Sequence, residues 1–106
     1  MAPRMTMATR VVLGTLLSDV EAEWFGSQIG GIAGLPSGTV HPILARLEGV
    51  GWVESRWEDI DPSAEGRPAR RYYRLTRSGA AQARQALAAV RRPLPGLTGR
   101  PKEGLS

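Results

Sequence analysis

Between Leu35 and Thr76 the apolar residues change period once, and that change limits what the chain can fold into. Val40, Ile43, Leu44, Leu47 and Val50 recur at helical spacing, which predicts an amphipathic helix. Val53, Ser55 and Trp57 then alternate with Glu54, Arg56 and Glu58; Ala69, Arg71, Tyr73 and Leu75 alternate with Arg70, Tyr72 and Arg74. Such alternation marks two half-buried strands. Asp59 to Pro68, rich in Asp, Pro, Ser and Gly, is expected to be a loop. One helix therefore feeds a hairpin whose far side carries Arg67, Arg70, Arg71 and Arg74.

The outer face of the predicted helix is unusual. It holds Gly38, Pro42, Ala45 and Gly49, flanked by Thr39, His41 and Arg46, where a solvated helix would carry Lys and Glu. A face so small and nearly uncharged lets something bulky approach the backbone, as a helix laid in a DNA major groove requires. From these residues alone, a helix with a weak surface fits equally well. Ser37 or Thr39 is the expected cap, which would leave free N–H groups for a phosphate. Pro42 removes a backbone bond and crowds the preceding turn, so the helix is expected to start after Ser37 or to bend. Gly51 is expected to end it in the left-handed conformation. The hairpin arginines suit phosphate and narrow minor grooves, because a planar guanidinium holds two acceptors at once.

Charge is distributed unevenly. The 106 residues carry a net charge of +4, yet no acidic residue occurs from Gly66 to Lys102. The acids gather at Asp19, Glu21 and Glu23 and from Glu48 to Glu65. That asymmetry suits a polyanion. A membrane partner is not expected, since there is no long apolar run and no bulky basic amphipathic helix. Without cysteine there are no disulfides or thiolate metal sites. The N-terminal apolar run is broken by Thr9, Arg10 and Gly14, so no signal peptide is expected and a reducing cytoplasm is the default.

The flanking segments predict three further pieces. A first helix from about Thr6 to Ser18 has Leu13, Leu16, Leu17 and Val20 on one stripe, and Met5, Ala8, Val11 and Val12 elsewhere. Apolar on more than one side, it serves either as a central core helix or as one shared with a second subunit. A second helix is expected from about Phe25 to Ala33, with Gly26 and Gly30 allowing close packing, and Gly34 ending it. Leu35-Pro36 then turns into the next helix, so that two helices follow each other across a short turn. Thr76 is the expected N-cap of a last, alanine-rich helix to residue 92, with Gly79 a soft spot in its first turn. Pro93 and Pro95 stop it, and residues 93–106 are expected to form a disordered basic tail. The folded domain is thus placed at residues 1–92.

The series Leu35-Pro36-Ser37-Gly38-Thr39-Val40, then Pro42-Ile43-Leu44 and Arg46-Leu47-Glu48, resembles the PadR family of transcriptional regulators. So do Gly51-Trp52-Val53-Glu54-Ser55 and Gly66-Arg67-Pro68, followed by Arg70-Arg71-Tyr72-Tyr73-Arg74-Leu75-Thr76 and Gly79. The likeness runs from about Val11 to Val90. It implies an α+β, mostly helical fold: a winged helix-turn-helix with a two-stranded β-hairpin wing and a C-terminal dimerisation helix. It implies a homodimeric, cytoplasmic repressor of double-stranded DNA. At position 41 the family usually has Tyr; His41 supplies instead a protonatable group whose cation DNA would favour.

On this basis Ser37, Thr39, His41 and Arg46 are expected to read the groove, and Arg67, Arg70, Arg71 and Arg74 to hold phosphate or enter the minor groove. Val12, Leu16, Ala83, Leu87 and Val90 are expected at the dimer interface. Many PadR proteins respond to small aromatic or lipophilic effectors, for which Trp24, Trp52 and Trp57 are the aromatic candidates; packing is the better use of all three. No cofactor or metal is expected. With His41 the sole histidine, neither a His-paired nucleophile nor a His-rich metal site can be assembled in one chain, which argues against an enzyme. The alternative is a winged-helix protein-interaction module that binds no DNA. RNA is a weaker third, because Tyr72 and Tyr73 make a poor stacking platform.

Overall fold

The computed structural model describes residues 3–91. Helix α1 (Met7–Leu17) starts at Thr6, whose hydroxyl accepts the Thr9 N–H at 3.1 Å. Its Val12, Leu13 and Leu16 are fully buried. They meet Ile29 from α2 (Gly26–Ala33) and Val40, Leu44 and Leu47 from α3 (Ser37–Gly49) in one core. Of the two partners open to the first helix, the core of its own chain therefore takes the Val12–Leu16 stripe.

Gly34 ends α2 in the left-handed region, at φ 72°, and the Leu35 N–H donates to the Gly30 carbonyl at 2.9 Å. A side chain on Gly30 would meet the Leu35 carbonyl oxygen at 2.8 Å. That glycine is what lets the turn fold back so tightly. Helix α3 departs from its expected start: Pro36 occupies the cap position, with no side-chain hydrogen bond, and Ser37 is already helical. The Thr39 and Val40 amides donate to the Pro36 carbonyl, so neither Ser37 nor Thr39 is the cap. Pro42 neither delays nor ends the helix. It lies on the exposed side, where its ring costs least and solvent can serve the carbonyl it leaves without a donor. Gly51, at φ 80°, lies just past the helix end as expected.

Strand β1 (Trp24–Phe25) takes the place of the expected start of the second helix. Strands β2 (Val53–Trp57) and β3 (Arg71–Leu75) form the antiparallel hairpin, and β1 adds to the other edge of β3, giving the order β1-β3-β2. Val53 pairs with Leu75, Ser55 with Tyr73, and Trp57 with Arg71. The expected loop from Asp59 to Pro68 contains a helical turn, α4 (Pro62–Glu65), begun by Asp61 and closed by Gly66 at φ 68°.

Helix α5 (Arg77–Arg91) begins at Thr76. The Thr76 hydroxyl accepts the Gly79 N–H at 2.9 Å and donates to the Gly51 carbonyl at 2.8 Å. Gly79 is not a soft spot. A side chain there would be driven into the Trp52 backbone, within 2.6 Å of its Cα and carbonyl carbon. Ala80 and Ala83 are buried against the chain's own core. No helix among the described residues is long and apolar enough to cross a membrane.

Candidate nucleic-acid interface

Helix α3 buries Val40, Ile43, Leu44 and Leu47 and exposes Ser37, Gly38, His41, Pro42, Ala45 and Arg46, with Thr39 half-buried at the edge. The four residues expected to read a groove thus lie on one helix with accessible side chains. Arg46 forms no ion pair among the described residues. His41 lies against the start of α2: a Cβ on Gly26 would stand 2.6 Å from its Cε1. The absence of a side chain at Gly26 is what seats the imidazole there.

The hairpin is fastened to α3 by a polar junction. The Ser55 hydroxyl donates to Glu48 at 2.6 Å. The Arg71 Nε donates to the Ser55 hydroxyl at 3.0 Å, and its Nη2 reaches Glu48 at 3.4 Å. The Arg71 guanidinium also lies 5.5 Å from the centre of the Trp57 ring, which is 62% exposed. Because side chains alternate along a strand, Arg71 shares the sheet face of Tyr73 and Leu75, the face that covers the core.

The four hairpin arginines do not act as one set. Arg74 lies on the opposite sheet face, where its Nε and Nη2 both donate to Glu54. Beside it Arg56 holds Glu23 through two contacts of 2.7 Å, and the carboxyl of Glu23 is lowered from its ordinary value chiefly by that hydrogen bonding. Arg67 is committed to Glu58 through both terminal nitrogens, at 2.8 and 3.0 Å. These bonds, with a further one from the Arg70 amide, pull the Glu58 carboxyl down to about 2. Arg70 pairs with no acid among the described residues; its guanidinium lies over the Phe25 ring, 4.4 Å from its centre. Phe25 pairs with Tyr72 and meets its ring edge-on at 5.9 Å, so Arg70 packs on the sheet face of Tyr72 and Arg74, at the end of β1 where Gly26 and His41 follow.

One other expected set is relocated. Val12, Leu16 and Ala83, expected at a dimer interface, are at most 1% exposed in the single chain and cannot touch a partner unless the core opens. Their helical spacing was equally consistent with an inward face. Leu87 is half-buried, and the side chain of Val90 lies outside the described residues, as does the 93–106 tail. A different apolar surface is open: Met7 and Ile32, 66% and 61% exposed, border with Val11, Gly14 and Leu87 a groove of about 500 Å3. Trp24 and Trp52 are buried in the core, which agrees with packing; Trp57 alone of the three is exposed.

Sequence reasoning missed Gly26, Phe25, Glu48 and Glu58. The partners of the first three are set by tertiary packing and leave no local signal. Glu58 follows once the register is known, since pairing Trp57 with Arg71 brings residue 58 opposite residue 70.

The transcriptional regulator PadR-like family model matches residues 22–85, which takes in α2, α3, the whole hairpin and the start of α5. No curated protein matches the chain. Among solved structures, a protein from Ralstonia eutropha JMP134 is similar at 26% identity, over 78% of this chain and 98% of that one, with a TM-score of 0.59. A PadR-like transcription factor from Bacteroides fragilis is similar at 24% identity, over 79% of this chain and 80% of that one, with a TM-score of 0.63. Escherichia coli MarR in its apo form is similar at 23% identity, over 83% of this chain, with a TM-score of 0.64; the chain spans only 59% of the MarR chain. The last two likenesses are of fold.

Proposed function

Because the chain belongs to the PadR-like family of transcriptional regulators, we propose that it is a cytoplasmic repressor that binds double-stranded DNA as a homodimer. The observation that carries this reading is the outer face of α3, lean and unpaired apart from its own flanking polar groups, with the hairpin fastened to the same helix through Glu48, Ser55 and Arg71. Ser37, Thr39, His41 and Arg46 read the major groove. Arg70 takes a phosphate beside it, and Arg71, whose contact with Glu48 is long at 3.4 Å, takes another. Because the reading face has so few long polar side chains, much of the selectivity comes from DNA shape.

The second subunit docks on the open apolar surface of α1 and α5 around Met7, Val11 and Leu87, in place of the buried residues first expected there. A small aromatic or lipophilic effector enters the groove that these same residues line, between the two subunits. Two copies of α3 then face half-sites about 34 Å apart. The experiment is selection from random duplexes combined with sedimentation. A roughly palindromic site, bound by two chains, is expected. A single half-site bound by one chain would overturn the dimer, and selective capture of a protein with no duplex binding at low salt would overturn the DNA reading.

A further inference from the structure

Resting on that reading, we propose that Glu58 is a positioning residue that closes the wing tip around Arg67 and keeps this arginine off the DNA. The carboxylate holds three donors from the other side of the hairpin. Its Oε1 accepts Arg67 Nη1 at 2.8 Å and the Arg70 backbone N–H at 3.1 Å, and its Oε2 accepts Arg67 Nη2 at 3.0 Å. The Glu58 backbone N–H in turn donates to the Arg70 carbonyl at 2.7 Å. The segment 59–69, helical turn included, is thus tied at its neck. Both side chains are largely withdrawn from solvent, with Arg67 33% and Glu58 16% exposed.

A phosphate would bind Arg67 through the same two nitrogens that Glu58 occupies, because that is the geometry in which a guanidinium meets an oxyanion. To reach it, the phosphate must displace a carboxylate that also secures the Arg70 amide, and the neck of the loop would open. Arg70 has no such competitor. The clasp fixes its backbone while its guanidinium rests on Phe25, so less ordering remains to be done on binding. Glu58 therefore divides two neighbouring arginines of the same basic run: one is built into the wing, the other is offered to DNA. The depressed carboxyl of Glu58 fits a group ionised throughout the physiological range.

The test uses the full chain, a mixed-sequence duplex and salt titrations of Arg67→Ala, Arg70→Ala and Glu58→Gln, with amide exchange of residues 58–70 measured in each. Each phosphate contact contributes about −0.9 to the slope of log affinity against log salt. Arg70→Ala is expected to flatten the slope by about 0.9 per protomer. Arg67→Ala is expected to leave the slope in place and to speed exchange of the Glu58 and Arg70 amides. Glu58→Gln is expected to speed the same exchange and to steepen the slope by about 0.9 per protomer, as Arg67 is released. Arg67→Ala flattening the slope as much as Arg70→Ala overturns the proposal. If the wild type binds no duplex, the DNA reading falls by itself; the clasp is then judged by exchange alone, supported by faster exchange in Arg67→Ala and Glu58→Gln and overturned by none.

Discussion

Gly79→Ala is expected to destabilise the protein by about 3 kcal/mol, although alanine is the better helix former by about 1 kcal/mol. Local preference and tertiary contact oppose each other here, and contact wins. Gly79 lies in the first turn of α5, where Thr76 fastens the helix to the Gly51 and Trp52 carbonyls. An added methyl would penetrate the Trp52 backbone, and backbone in a tight turn cannot move aside as a side chain can. The whole helix must shift, releasing Ala80 and Ala83 from the core. For a domain with a total stability of roughly 5–15 kcal/mol, that is a large share. Gly26→Ala is the control: its methyl also meets an atom at 2.6 Å, but that atom is Cε1 of the exposed His41 imidazole, which can swing outward. A cost below about 1 kcal/mol is expected there. Denaturant midpoints of the two variants check both; a Gly79→Ala protein as stable as wild type would show that α5 is not seated on Trp52 in this way.

Arg46→Ala is expected to cost about 1–3 kcal/mol of discrimination between a selected site and mixed-sequence duplex. On α3, Glu48 is occupied by Ser55 and Arg71, whereas Arg46 is exposed and unpaired among the described residues. The remaining exposed residues of the outer face, His41 included, lack the planar fork of donors that makes two-pronged contacts to a base. One guanidinium is therefore expected to supply most of the direct readout, its loss leaving shape selectivity behind. Arg70→Ala should differ, weakening all sequences alike. Comparing the affinities of each variant for selected and mixed duplexes separates the roles. Equal loss on both duplexes in Arg46→Ala would place Arg46 at a phosphate instead of a base.

The helix, its left-handed end at Gly51, the end of α2 at Gly34 and the alternation of the two strands follow from patterns within a few residues of one another, and so were legible before any coordinates. Thr76 as a cap was legible for the same reason. What the period could not decide was which way an apolar stripe faces. Val12, Leu16 and Ala83 sit at the correct spacing for either a core or an interface, and only the docking of α1 on α2, α3 and α5 resolves it. The hairpin arginines pose a similar problem in charge. A run of like residues suggests a single function, but alternation sends Arg74 to the far face with Glu54, and the pairing of residue 58 with residue 70 brings an acid to Arg67. Pro42 lies on the outer face, as expected, and of its two expected effects the late start does not occur, because solvent on that side can serve the carbonyl the proline leaves without a donor.

The most direct measurement is a titration of uniformly 15N-labelled full chain with mixed-sequence duplex at low salt, followed by amide shifts. The outer positions of α3 from Ser37 to Arg46, the β1–α2 junction at Phe25 and Gly26, and the hairpin at Arg70 and Arg71 are expected to move together, while Glu54 and Arg74 stay in place. Shifts confined to Met7, Val11, Ile32 and Leu87, or none at all, would contradict a duplex held between α3 and the wing.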